Sequence, residues 1–304
     1  MLSTFVALAG LTLAQQTDTT ITVEPGTRLS VTNYGGEVVV RTGAENRVRV
    51  RASYSSRTRV EIVRGSQSLT VRTEGRRGQA GLTDLELTVP RSTPLNLSGV
   101  YTHIVVDGVD ANVAAETVEG DVSLVGGSGA VTLRSVEGEI TVRGARGRLD
   151  VGSVDGDVRI SETTAEITAE TVDGDIFLQG IDAAAVDANT VDGDIYYEGA
   201  IKNAGRYRFA THDGDVTVGV PEGASVTVAV STFEGEFDAS FPVQISETRR
   251  RRFSFTLGSG SARLELETFD GDIRLRRPAE VRPGERNEKN RNQQRNKNQE
   301  HDDW

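Results

Sequence analysis

The six-residue stretch Thr171-Val172-Asp173-Gly174-Asp175-Ile176 recurs along the chain with small changes. Further copies begin at Thr117, Ser135, Ser153, Thr190, Thr211, Thr232 and Thr268. Their glycines, at 120, 138, 156, 174, 193, 214, 235 and 271, are separated by 18, 18, 18, 19, 21, 21 and 36 residues. A period near 20 residues marks a solenoid, in which each repeat is one coil stacked on the last. Counting back 18 from Gly120 reaches Thr102, which reads as a coil that has lost its glycine. The final gap of 36 has room for a coil without a recognisable motif, or for an insertion.

Within a coil the apolar period is two, so the coils are made of strands. Val172, Gly174, Ile176 and Leu178 share one face, and Thr171, Asp173, Asp175 and Phe177 the other. The first set is expected to face inward, because ionised carboxylates cannot be buried unpaired, with glycine at a narrow bend. A second apolar run follows in each coil: Val131 and Leu133, Leu149 and Val151, Ile167 and Ala169, Val186 and Ala188. Its parity slips by one just before the next Val-x-Gly, which turns the chain at a corner. Gly126-Gly127-Ser128-Gly129 and Gly144-Ala145-Arg146-Gly147 separate the two runs as turns. The expected fold is all-β: a single-stranded β-solenoid with coils of 18–21 residues, each one circuit of two or three short strands. A composition of 33 glycines and 5% aromatic residues suits such a thin, repetitive core.

The segments differ in character. Residues 1–16 are short, apolar and end near Thr12-Leu13-Ala14, which reads as a secretory signal peptide without a basic start. Residues 17–97 are β-rich but irregular; Asn33-Tyr34-Gly35-Gly36-Glu37-Val38 is an isolated early copy of the motif. This part is expected to cap the solenoid, since an open end leaves backbone groups unpaired. Residues 98–276 are the repetitive solenoid, interrupted by a basic run at 249–252 that reads as a solvated edge. Residues 277–304, rich in Asn, Gln, Arg, Lys and Glu, read as a disordered polar tail.

The repeated acids are the candidate site. Stacked coils lie about 4.8 Å apart, so Asp155, Asp173 and Asp192 should form one column and Asp157, Asp175 and Asp194 another. Two such columns could chelate Ca²⁺, which takes oxygen ligands in loose geometry. The plainer reading has the acids splayed into solvent, hydrogen-bonding turn amides. No other cofactor is expected. The hydroxyl column (Thr117, Ser135, Ser153, Thr171, Thr190, Thr211, Thr232) suits a β ladder, and its acidic flanks argue against an ice-binding face. His103 and His212 sit at motif positions and read as coil-surface residues rather than bases. With three lysines, no cysteine and no nucleophile elbow or phosphate loop, an enzyme is not expected. A net charge of −11 argues against nucleic acid as a partner.

The order of these features resembles the bacterial "putative adhesin" family of cell-envelope β-solenoids, a family of unknown function. The resemblance rests on the Leu-Ser-Val-Thr-Asn-x-Gly-Gly-Glu-Val opening at 29–38, the strand ending in Val89-Pro90 and the ladder of Thr/Ser-Val-Asp-Gly-Asp-Ile coils. Gly219-Val220-Pro221-Glu222-Gly223 and the closing Leu266-Glu267-Thr268-Phe269-Asp270-Gly271-Asp272-Ile273 complete it, over residues 20–276. It implies a right-handed β-helix in the envelope and carries no catalytic residue to this chain. The expected function is therefore non-catalytic: an exported protein, in the periplasm or on the cell surface, presenting a regular face for adhesion or for binding an envelope glycan or protein. The alternatives are a periplasmic structural or envelope-stress scaffold and a polysaccharide-active enzyme. No transmembrane helix is expected in the mature chain, and self-association through the solenoid ends is a further expectation.

Overall fold

The structure, a computed structural model, describes residues 15–281 except 45, 77, 79, 250 and 251. The segment read as a signal peptide up to residue 14 and the tail from 282 lie outside the described residues, as do Arg250 and Arg251 of the basic run. The described residues form twenty-five strands and one short 3₁₀ turn, Pro278–Glu280. The chain is an all-β solenoid. It divides into two compact units between residues 150 and 151.

Each regular coil has two strands joined by the motif. In the C-terminal unit, Glu166–Glu170 runs into the bend and Ile176–Ile181 leaves it. The next coil repeats this with Ala185–Asn189 and Ile195–Gly199, in parallel register: Ile167 opposite Val186 and Ile176 opposite Ile195. Two parallel sheets thus face each other across a thin core. Ile167, Ala169, Ile176 and Leu178 fill it, and Ala165, Ile181 and Ala183 close the return loop. Burial of each such Ile or Leu contributes roughly 1.5–3 kcal/mol. Tyr197, Tyr207 and Phe209 thicken the core in later coils, with Tyr197 and Phe209 ring centroids 5.0 Å apart.

The N-terminal unit contains coils from its start. Arg28–Gly43 is itself a coil, paired in parallel with Leu95–Val109 so that Leu29 faces Leu95 and Gly36 faces Thr102. Thr102 therefore stands where its neighbours have glycine, as the spacing suggests. Ser68–Gly75 and Thr83–Pro90 form another coil, stacked on the other side of Arg28–Gly43. The earlier coil is therefore inside and the later one outside. Antiparallel strands then cover the outer coil: Thr58–Arg64 on Ser68–Gly75, Arg47–Tyr54 on Thr83–Pro90, and Gln15–Thr22 on Arg47–Tyr54.

The C-terminal unit reverses its order in the same way. Ala262–Asp270 and Ile273–Arg276 pair with Arg206–Asp213 and Val216–Gly219. Val226–Glu234 and Phe237–Ala239 lie outside them, and an antiparallel hairpin, Ile245–Arg249 with Arg252–Leu257, extends beyond Val226–Glu234. The 36-residue gap is this hairpin plus the return of the chain, so the insertion reading is the correct one. The reversal puts antiparallel strands, rather than a long bare parallel edge, at the end of the stack.

One reading of the motif is overturned. Val172 faces outward and Thr171 is buried, and the same holds from coil to coil: Val118, Val136, Val154 and Val191 are exposed, while Thr117, Ser135, Ser153 and Thr190 are buried. The parity slip falls inside the motif, between Thr171 and Ile176, not before the valine. The second apolar run is buried as expected. Gly174 does not fill an inward position either. Its φ is +151°, and a Cβ there would come within 2.5 Å of the Gly156 carbonyl oxygen in the coil below. The glycine is required by the close approach of two backbones along the stack.

Candidate functional site

The bend is built from the buried hydroxyl outward. Thr171 Oγ1 donates to the Gly156 carbonyl at 3.1 Å, Thr190 to Gly174 at 3.1 Å, Thr211 to Gly193 at 3.0 Å and Thr268 to Gly214 at 3.1 Å. In the N-terminal unit Thr117 donates to Thr102 O at 3.0 Å and Ser135 to Gly120 O at 3.1 Å. The glycine carbonyl points at the next glycine's Cα, where no backbone donor stands, so the hydroxyl one coil on satisfies it. A valine in that inward position would leave the carbonyl unpaired, which decides the facing of the pair.

The second acid of each motif is also structural. Asp157 Oδ1 accepts the Asp175 amide at 2.9 Å, Asp175 that of Asp194 at 2.8 Å, Asp194 that of Asp215 at 2.8 Å, and Asp215 that of Asp272 at 2.8 Å. Asp121 does the same for Glu139 at 2.9 Å. His103 Nδ1 takes the acid's place below it, accepting the Asp121 amide at 3.1 Å; the sequence placed His103 on the coil surface but did not show this role. Cations hold the outer oxygens. Arg159 reaches Asp157 at 2.8 Å, and Arg274 bridges Asp272 and the buried Asp215 at 2.6 Å each. Beside them Phe177 and Tyr196 stack at 5.3 Å, and the Tyr196 hydroxyl donates to Asp194 at 2.8 Å. Burial, followed by the Asp194 charge, pushes that phenol well up.

The first acid behaves differently. Asp155, Asp173, Asp192 and Asp213 are exposed and bridged coil to coil through their backbones. Asp270 and Glu234 continue the column, each in register with its neighbour. No ion pair reaches these six side chains among the described residues. Partial desolvation raises the Asp192 carboxyl above its ordinary value, and repulsion from Asp213, Asp173 and Asp194 adds to the shift. The two columns of the sequence reading thus exist, with Asp157, Asp175 and Asp194 taken up by amides and Asp155, Asp173 and Asp192 left to solvent. Among the described residues no group of three or more His, Cys, Asp or Glu side chains is arranged to hold a metal ion.

Next to this free column runs the outward residue of each motif. In the C-terminal unit it is Val154, Val172, Val191, His212, Phe269 and Phe233 in stacking order. The valines and phenylalanines are between 45% and 49% exposed. Phe269 stacks on His212 and on Phe233 with centroids 4.8 Å apart in both cases. In the N-terminal unit Val118 and Val136 are exposed in the same way, while Tyr101, in register with Glu119 of the acid column, meets Tyr34 edge-on at 5.5 Å. Sequence reasoning put the valines in the core and so missed this row; the polar residue before each valine, with its need for a buried partner, was the available signal.

A family model matches residues 26–276, from the first coil to the last strand. The chain belongs to the Toastrack DUF4097 family. That agrees with the resemblance carried by the opening at 29–38 and the coil ladder. Among solved structures, this Toastrack chain is similar to a "putative adhesin" from Bacteroides fragilis NCTC 9343, at 12% identity, 86% of this chain, 97% of that one and a TM-score of 0.43. It is also similar to a "putative lipid binding protein" from Parabacteroides distasonis ATCC 8503, at 8% identity, 86% and 96% coverage and a TM-score of 0.43. No curated protein matches the Toastrack chain. Among the described residues no helix is long and apolar enough to cross a membrane.

Proposed function

We propose that this Toastrack chain is a non-catalytic, exported protein of the cell envelope that binds a partner through its coil bends. One observation carries the reading. Nearly every polar group of the motif is consumed by the fold, yet at most bends a half-exposed apolar side chain faces solvent beside a carboxylate that no ion pair reaches among the described residues. Surfaces that do no more than keep a protein soluble have no need of an apolar row in strict register. Export is supported by the apolar opening of the sequence, and an envelope glycan or protein is the expected partner. Both adhesion at the cell surface and scaffolding in the periplasm use the same face.

The test is cosedimentation of the purified full chain with isolated cell envelopes of the source organism, for wild type and for Val172→Ser/Val191→Ser. Wild type should pellet with envelopes and the double variant should stay in the supernatant. Wild type that stays soluble, or a variant that pellets equally well, removes the bends from consideration. Protease treatment of intact cells then separates surface from periplasm.

A further inference from the structure

We infer that the bend row of the C-terminal unit is a docking surface for a cationic amphipathic α-helix. The inference rests on the reading that the bends bind, and it names the partner's chemistry. Val154, Val172, Val191, His212, Phe269 and Phe233 form an apolar stripe of six rungs, with His212 stacked on Phe269. At about 4.8 Å per rung the stripe is roughly 24 Å long. Along one side lie Asp155, Asp173, Asp192, Asp213, Asp270 and Glu234, which no ion pair reaches among the described residues. Arg159 and Arg274 of the neighbouring strands are engaged by Asp157, Asp215 and Asp272.

Charge decides against two occupants. A second copy laid bend to bend would bring two acidic columns together, and an anionic lipid surface would meet the same repulsion. A partner with basic groups removes the mutual repulsion already felt at Asp192. Spacing decides its conformation. An α-helix presents one turn every 5.4 Å, a mismatch of about 0.6 Å per rung that stays below one rung over the whole stripe. An extended strand shows a side chain on one face every ~6.8 Å and falls a full rung out of step within about three rungs. A helix of about 16–18 residues spans the stripe, its apolar face on the valines and phenylalanines and its Lys or Arg residues over the acids.

The experiment is fluorescence anisotropy of the full chain with a labelled Leu/Lys peptide of about 18 residues, patterned for an amphipathic helix, at about 0.15 M salt. Controls are the matching Leu/Glu helix and a Leu/Lys peptide of strictly alternating pattern. The Leu/Lys helix should bind and both controls should not. Val172→Thr/Val191→Thr and Asp173→Asn/Asp192→Asn should each weaken binding by about fivefold or more. Glu24→Gln/Glu222→Gln, which removes two charges elsewhere, should leave it unchanged.

Absence of binding overturns the proposal, as does equal binding of the alternating peptide or equal weakening by both acid pairs, which reports bulk charge. Dimerisation abolished by the ridge variants would assign the stripe to a second copy and overturn it too. Envelope binding that depends on the ridge without peptide binding keeps the bends as the binding face and discards the helical partner. Loss of both discards the two readings together.

Discussion

Thr171 and Val172 are neighbours of nearly equal size that face opposite ways, because only the threonine can donate to the Gly156 carbonyl. Thr171→Val should cost about 1–2 kcal/mol, since it leaves a buried carbonyl unpaired. Val172→Thr, on the exposed side, should stay within about 0.5 kcal/mol of wild type. Urea unfolding of the two variants checks the assignment, and a larger loss for Val172→Thr would reverse it. Asp192 is a second residue with a measurable sign. Its carboxyl is raised in the folded state, so the folded chain holds that proton more tightly than the unfolded chain does. Ionised Asp192 therefore costs stability at neutral pH, and the cost vanishes below the carboxylate range. Asp192→Asn should raise Tm at pH 7, with the gain fading as pH falls to about 3.5. A gain that persists in acid would locate its cause outside this carboxylate.

At the scale of the strand, the outer faces are held by ion pairs as well as by ladders. Arg274 on Ile273–Arg276 grips Asp215, whose side chain is 1% exposed, and Asp272 on its own bend. Replacing it with Met keeps the packing of the stem and removes the cation that faces the buried Asp215. The expected loss is about 2–4 kcal/mol at pH 7. Chemical denaturation at that pH reads this directly; equal stability to wild type would mean that Asp215 finds another cation. The closing coil is the second strand-scale feature. Because Ala262–Asp270 lies between Arg206–Asp213 and Val226–Glu234, a chain ending at Gly260 leaves the outer coil without its inner partner. Hydrogen exchange should then lose protection across 226–257. Retained protection there would show that the outer coil docks directly on Arg206–Asp213.

Over the whole molecule, both units reverse chain order at the outer coil and cover it with antiparallel strands, Thr58–Arg64 and Arg47–Tyr54 in one, Arg252–Leu257 in the other. A solenoid built only by adding coils would offer bare parallel edges and grow without limit. The reversal also makes the contacts of the outer coils long-range, which slows their formation relative to the regular coils. The free charge is concentrated by the same economy. The second acids are spent on amides and arginines, so the first column carries the unpaired negative charge of the bends.

The period of the motif, its glycines and the alternation of Ile167, Ala169, Ile176 and Leu178 were enough to determine an all-β solenoid, its coil length and most of its core. Those are local and repetitive properties, and repetition makes each coil predict the next. The vacancy at Thr102 was legible for the same reason. The facing of Thr171 and Val172 was not, because it depends on a carbonyl in the coil below rather than on either side chain's hydrophobicity. The two roles of the paired acids were equally hidden: Asp173 and Asp175 are two residues apart and chemically identical, and only the stacked backbone gives one of them an amide to accept. The order of the terminal coils was likewise decided by tertiary structure alone, because pairing at the stack's ends is set by which edge must be covered, and no local signal encodes that.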